Sequence, residues 1–285
     1  MIVELVMAAV VTGSFLVGSA QDAPSSDPEG RGVGSESRLF AMRSDDAWEV
    51  VQRRLKELGL GSERVDRTNQ VVLTKWRALD STELAWLPRP ALSDAYVAKR
   101  VRFEVFVSPF AEPARVYVGS VVEGRHAMTS APATAYNVRN VNQAVMGEIA
   151  KALGQDGRPI PSGGEERRRL ALSLVKEETN PCLRRDWPPA GGKATPPRKL
   201  AISEFEVLYP AAALEHRTEG AVQVLFTIQE DGGVTDVRVQ GAPLGRQLEA
   251  SAVGAASLLI YSPAKVDGCP ISVLVSYTVR YRVVR

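Results

Sequence analysis

The stretch of sequence that decides the fold is GAVQVLFTIQEDGGVTDVRVQ, residues 220–240. Apolar residues occupy every second position from 222 to 228, which is the period of a strand with one buried face. Asp231-Gly232-Gly233 follows, and glycine readily takes the positive φ that tight hairpin turns need. Because residues 234–240 then form a second strand-like run, the stretch predicts an antiparallel hairpin.

One helix and one long strand are predicted after this hairpin. Apolar residues recur at helical spacing at Leu244, Leu248, Ala252, Ala255 and Leu259. From Ile271 onward, apolar and other residues alternate to the end of the chain, which predicts a strand over 271–284. The C-terminal part, residues 201–285, is therefore expected to be a β-β-α-β domain, with its helix on one face of three strands.

A second α+β domain is predicted at residues 38–154. An apolar stripe at helical spacing follows Ser44, the expected N-cap of a helix that ends at Gly59. A strand at 71–76, a hairpin of 101–107 with 116–123 and a second helix ending near Gly154 complete the pattern. An antiparallel sheet that grips one or two helices is the economical way to bury these faces.

The segments outside the two domains have a different composition. Residues 155–200 contain repeated prolines, which predicts a semi-rigid linker, with one short helix candidate near 170–175. Residues 21–37 are rich in Ser, Gly, Pro and Asp, which predicts a disordered spacer.

The first 20 residues predict export from the cytoplasm. They are mostly apolar with Glu4 as the only charged residue, and Gly18-Ser19-Ala20 fits the rule for cleavage by signal peptidase, so that Gln21 would begin the mature chain. No Lys or Arg precedes Arg31, although signal peptides usually start with a basic region. The alternative is therefore an uncleaved membrane anchor.

Composition and motifs argue against several functions. The net charge of +2 is too small to indicate nucleic-acid binding. The chain has no Gly-rich phosphate loop, no His-bearing metal motif and no Gly-x-Ser-x-Gly, and its two histidines, His126 and His216, stand apart. We therefore expect a non-enzymatic binding protein without a cofactor or metal.

The two cysteines, Cys182 and Cys269, leave two possibilities open. An oxidising compartment permits a disulfide between them, because their number is even. Two unpaired thiols are the alternative, since sequence alone does not fix connectivity.

A series of short motifs runs through the C-terminal region: Tyr209-Pro210-Ala211, Gly220 to Phe226, Asp231-Gly232, Val237, Leu248 to Ala252, Tyr261 to Ala264, and Gly268 to Ile271. In these residues the region resembles the TonB C-terminal domain family over about 80 residues, with order and spacing kept. Two positions differ: Ile260-Tyr261 replaces the usual aromatic pair, and Leu208 replaces a Gln that often precedes Tyr-Pro.

This resemblance implies a periplasmic domain that captures an extended peptide of an outer-membrane receptor, or of another envelope protein, by strand addition. It thereby implies a link to TonB-dependent transport. Membrane contact is expected only if the N-terminal segment is retained, in which case the chain is anchored in the inner membrane and faces the periplasm. The alternative function is a scaffold of the cell envelope without energy transduction. The candidate partner-binding residues are Tyr209, Pro210, Ile271, Val273, Val275, Tyr277 and Val279.

The middle domain is similar, over some 30 residues, to BamC-like helix-grip modules. The shared positions are Asp46-Ala47-Trp48, Leu55, Leu58-Gly59 and Val65 to Asn69. This similarity implies the same sheet-and-helix architecture that the residue pattern predicts.

Overall fold

The structure is a computed structural model. It describes residues 5–6, 36–89, 96–128, 132–136, 138–159, 182, 192–200, 209–210, 213, 215–241 and 244–283. Most of the predicted signal peptide and spacer, the helix candidate near 170–175 and most of the predicted linker lie outside these ranges. No helix in the described ranges has the length and apolar character needed to cross a membrane.

The first domain is an antiparallel sheet with two helices, as the sequence predicts, and the sheet has eight strands, more than the sequence pattern indicates. The strand order is β3-β4-β6-β7-β2-β9, with β5 paired to β6 and β8 paired to β7. Counted from β1 at Leu5–Val6, the elements of this domain are β2 (Glu36–Phe40), α1 (Ser44–Glu57), β3 (Ser62–Asp66), β4 (Val71–Thr74), β5 (Arg77–Ala78), β6 (Tyr96–Val107), β7 (Ala114–His126), β8 (Pro132–Tyr136), α2 (Arg139–Ala152) and β9 (Arg158–Pro159).

One face of this sheet, the inner face, packs against α1 and α2 in a single apolar core. Alternation places Phe103 and Val105 of β6 on this face, and both are fully buried. The start of α1 differs from the prediction, because Ser44 is its first helical residue and Arg43 is the cap. The Ser44 hydroxyl donates instead to the carbonyl of Ala111 at 2.8 Å, so it ties the helix to the loop between β6 and β7.

The second domain contains the predicted hairpin, helix and final strand. Its main sheet has the antiparallel order β1-β17-β12-β13, and the helix packs with the sheet in one apolar core. The elements are β10 (Ala194–Thr195), β11 (Arg198–Lys199), β12 (Gly220–Ile228), β13 (Val234–Gln240), α3 (Arg246–Ala256), β14 (Tyr261–Ser262), β15 (Ala264–Val266), β16 (Cys269–Ile271) and β17 (Val273–Tyr281).

The last strand is shorter than the predicted 271–284. It begins at Val273, which pairs with Ile228, whereas Ile271 belongs to β16 and pairs with Ala264 of β15. The chain changes partner at Ser272, but the alternation of apolar residues continues across the change. The sequence pattern therefore does not indicate that β16 ends and β17 begins here.

The end of the predicted linker is held by the second domain. Two short strands of this segment, β10 and β11, pair with β15 and β14. The amide of Leu200 also donates to the carbonyl of Ile260 at 3.0 Å. Residues 192–200 therefore run along the second domain as part of its structure.

The outer face of the first sheet, opposite α1 and α2, contacts the second domain. Phe106 and Tyr117 form one buried apolar cluster with Leu200 and Ile260. A neighbouring cluster joins residues of the same face to Leu258 of the second domain. The sequence predicts two modules on a linker and contains no sign of this contact.

A buried ion pair lies at this interface. Asp231, in the turn between β12 and β13, is 0% exposed. Its carboxylate accepts from Arg115 Nη1 at 2.9 Å and from the hydroxyl of Tyr117. The hydroxyl of Ser108 donates to the Asp231 carbonyl at 2.7 Å. The turn that the sequence predicts as a hairpin connection therefore also makes polar contacts between the domains.

The two glycines of this turn are required for different structural reasons. Gly232 has φ +85°, and an added Cβ would collide with the backbone carbonyl of Tyr261. Gly233 lies against the first domain, where an added Cβ would stand 2.5 Å from Cζ of Tyr117. Glycine at 233 thus permits close approach of the two domains.

Candidate functional site

The candidate site is the outer edge of β17, the edge that faces away from β12. Only β1 pairs with this edge among the described residues, at Val279 and Thr278. The part of the edge from Val273 to Tyr277 has no strand beside it in the described ranges. A row of unpaired main-chain N–H and C=O groups is a template for adding another strand.

The predicted binding residues on β17 point their side chains into the domain. Val275, Tyr277 and Val279 pair with Phe226, Val224 and Val222, which belong to the buried core beneath α3. Val273 packs against the same core. These side chains therefore hold β17 against the core, and the main-chain groups of its outer edge are the part that a partner could contact.

The alternate residues of β17 face outward. Leu274 is 60% exposed and Arg280 is also exposed, while the hydroxyl of Ser276 accepts from Gln223 Nε2 at 2.7 Å. Sequence reasoning selected the inward positions because they form the apolar repeat. The outward positions were marked by the same alternation, with Leu274 as the one apolar residue among them.

Tyr209 and Pro210 lie at the entry of the domain. Tyr209 is buried, and its ring meets that of Tyr281 edge-on with centroids 5.4 Å apart. Its hydroxyl donates to the carbonyl of Thr218, and burial, followed by the charge of Glu219, raises the pKa of Tyr209. Tyr209 therefore anchors the entering chain to the end of β17, and Pro210 beside it is half-buried.

Two tyrosines of β17 are buried in the core of the second domain, Tyr277 and Tyr281. Burial raises the pKa of Tyr277 to about 12, so its phenol stays neutral. The hydroxyl of Tyr281 donates to the carbonyl of Leu248 in α3 at 2.9 Å. The helix and the strand are thus joined by a hydrogen bond as well as by apolar packing.

Cys182 and Cys269 form a disulfide, with their Cα atoms 5.4 Å apart. Cys269 begins β16, which precedes β17 by a single residue. The bond therefore ties the distant linker residue Cys182 to the start of the candidate edge.

No metal centre accompanies this edge in the described ranges, which contain no group of three or more His, Cys, Asp or Glu arranged to hold an ion.

Comparison with known proteins identifies the second domain. The family described as Gram-negative bacterial TonB protein C-terminal matches residues 206–283. Among solved structures, the chain is similar to the C-terminal domain of TonB from Helicobacter pylori, solved by NMR in solution, with 29% identity and a TM-score of 0.22. That match covers 27% of this chain and 70% of the other. No curated protein matches the chain. Residues 206–283 of this protein are a TonB C-terminal domain.

Proposed function

We propose that this chain is a non-enzymatic binding protein of the periplasm. Its TonB C-terminal domain binds a segment of an outer-membrane receptor, or of another envelope protein, as an added strand on β17. The observation that carries the proposal is the outer edge of β17, where Leu5–Val6 pairs antiparallel with Thr278 and Val279. An edge that accepts one strand has the geometry to accept another.

In this proposal the inward side chains hold the edge in shape, and the main chain supplies most of the affinity. Val273, Val275, Tyr277 and Val279 keep β17 straight against β12, and Ile271 directs the chain into it from β16. Tyr209, next to Pro210, packs against Tyr281 at the end of the strand. Specificity then comes from the outward residues, where alternate side chains of an added strand would meet Leu274 and its neighbours.

Export by a cleavable signal belongs to the same proposal. Residues 5–6 lie within the stretch predicted to be removed after Ala20, so cleavage takes them off the edge of β17. The mature protein then presents the edge to a partner. The mass of the mature N-terminus tests this step: a start at Gln21 supports it, and an intact Met1 indicates an anchored protein instead.

A photo-crosslinking experiment tests strand addition. The photoreactive residue p-benzoylphenylalanine replaces Leu274, which is exposed on β17. The matched control carries it at Arg238, which is exposed on β13 at the opposite edge of the same sheet. Both proteins are irradiated with synthetic peptides that copy the periplasmic N-terminal segments of outer-membrane receptors from the same cell.

We expect a crosslink from position 274 and little from position 238. N-methylation of alternate peptide amides should abolish the product, because strand addition depends on main-chain donors. Equal crosslinking at both positions, or indifference to N-methylation, would rule out strand addition at β17.

A scaffold role without energy transduction is the second candidate. The observation that favours it is the buried contact of Asp231 with Arg115, which fixes the TonB C-terminal domain against a second folded domain. A scaffold would be recovered from the envelope with partners whose crosslinks come from position 238 or from the first domain. Receptor binding would give crosslinks from position 274.

A further inference from the structure

Glu104 is a carboxylic acid buried between the two domains. It lies on β6, on the outer face of the first sheet, and is 4% exposed. The strand register places Leu73 on one side of it and Gly119 on the other. Leu73 belongs to the cluster that includes Leu258, so the row containing Glu104 runs beneath the second domain.

Phe106, two residues further along β6, belongs to the other interdomain cluster, with Leu200 and Ile260. Glu104 therefore sits between the two apolar clusters that join the domains. The second domain contributes Leu200, Ile260 and Leu258 to these clusters. Gly119, opposite Glu104, has no side chain that could meet the carboxyl group.

Neither carboxyl oxygen of Glu104 has a hydrogen-bond partner in the described part of the chain. A buried, unpaired carboxylate is strongly disfavoured, and such a group responds by keeping its proton. Burial raises the pKa of Glu104 well above its usual value, and the positive charges of Arg102 and Arg64 offset this only partly.

None of the neighbouring polar groups on the described part of this face forms a hydrogen bond with Glu104. The Arg102 guanidinium lies over the ring of Trp76, 4.7 Å from its centroid, and Arg64 is an exposed residue of the edge strand β3. Arg115 and Tyr117 on β7 bind Asp231. Glu104 is thus the acid at the interface whose charge finds no counterpart at hydrogen-bond distance.

We propose that Glu104 is a proton-operated latch between the two domains. The neutral acid permits the second domain to cover the outer face, and loss of the proton favours separation, because the carboxylate then gains access to water. The linker keeps the separated domain attached. This inference concerns the interface alone and is independent of strand addition at β17.

The direction of the pH dependence follows from linkage. The docked state holds the proton more tightly than the separated state, in which Glu104 is hydrated and titrates near its usual value of 4.5. Docking is therefore fully favourable below that value and weakens as pH rises toward the raised pKa of the docked state. Within this window the docking constant falls about tenfold per pH unit for one proton.

The test measures docking in the full mature chain by small-angle X-ray scattering from about pH 5 to about pH 9, a window that spans the usual range of a perturbed glutamate. Infrared difference spectroscopy follows the carbonyl band of the protonated acid over the same range. We expect the radius of gyration to increase as this band is lost, with the far-ultraviolet circular dichroism unchanged.

Two variants make the test specific. Glu104→Gln is neutral at every pH and should stay docked throughout, without the infrared band. Glu123→Gln, in the same sheet, removes a carboxylate that pairs with Arg100 at 2.7 Å near the surface. Docking of this variant should show the same pH dependence as docking of the wild type. A wild-type profile that does not change with pH, a Glu104→Gln variant that keeps the wild-type pH dependence, or unfolding in place of separation would each overturn the proposal.

Discussion

The two faces of the first sheet differ in what they bury. The inner face meets α1 and α2 through apolar side chains that extend from strand to strand without interruption. The outer face meets the second domain through two smaller apolar clusters, with Arg115 and Glu104 among them. An apolar surface can pack against many other apolar surfaces, whereas a buried charge requires a group of opposite charge beside it. The inner face therefore stabilises a domain, and the outer face selects one neighbour.

The polar groups of the outer face also differ from each other. Arg115 is matched by Asp231 across the interface, so it favours one docked arrangement. Glu104 has no such partner, so the free-energy cost of burying it depends on whether its carboxyl group is protonated. Arg115 therefore defines the position of the second domain, and the protonation of Glu104 changes the strength of the contact between the domains.

The largest effect is expected on the inner face. Val105→Asp places a carboxylate in the core beneath α1 and α2, at a cost of at least several kcal/mol, which is comparable to the whole stability of a domain, about 5–15 kcal/mol. Thermal melting followed by circular dichroism should show loss of the first domain. Val65→Asp is the control: Val65 is 41% exposed on β3 of the same sheet, so wild-type melting is expected. Wild-type melting of Val105→Asp would mean that the inner face is wrongly assigned.

An intermediate effect is expected when the ion pair is broken. Asp231→Ala leaves Arg115 buried without its carboxylate, which typically costs about 3–5 kcal/mol. Both domains should remain folded while the docked fraction falls, as measured by small-angle scattering. The control is Glu123→Ala, which breaks a less buried pair with Arg100 and should change docking by less than about 1 kcal/mol. If both variants dock like the wild type, the polar contact is not what holds the domains together.

The smallest effect is expected at the turn glycine. Gly233→Ala forces a methyl group against the ring of Tyr117, and overpacking of this kind costs about 1–3 kcal/mol. Gly147→Ala is the matched control, because nothing lies within 4 Å of the added Cβ in α2, and alanine should stabilise the helix by about 0.5–1 kcal/mol. Chemical denaturation measures both. An undisturbed interface in Gly233→Ala would show that the two domains approach less closely at this turn.

The sequence predicted the parts of the molecule that depend on local pattern. Alternation around Val224 and the turn at Asp231-Gly232 indicated the hairpin, and apolar spacing around Leu248 indicated α3. The family resemblance rested on the same residues and is confirmed at 206–283. The disulfide of Cys182 with Cys269, one of two possibilities left open, is present in the structure.

Local sequence patterns did not predict the contact between the domains. Gly233 has a sufficient local explanation as a turn residue, and Arg115 has one as a polar residue at a strand end, so neither suggests a partner more than 100 positions away. Glu104 resembles any outward-facing strand residue until another domain covers it. The assignment of Ile271 to the last strand failed for a related reason, since alternation does not register a change of pairing partner at Ser272.

The disulfide has a mechanical consequence. A pulling force that enters along the chain from the N-terminal side reaches Cys182 and passes through the two sulfur atoms to Cys269, without stretching the segment between them. The two cysteines are 87 positions apart, so the chain between them could extend to roughly 300 Å, and this length cannot be pulled out while the bond is intact. Tension is delivered instead to β16, next to the start of β17. In single-molecule stretching, reduction of the bond should lengthen the fully extended chain by roughly that amount, and an unchanged length would show that the bond is absent.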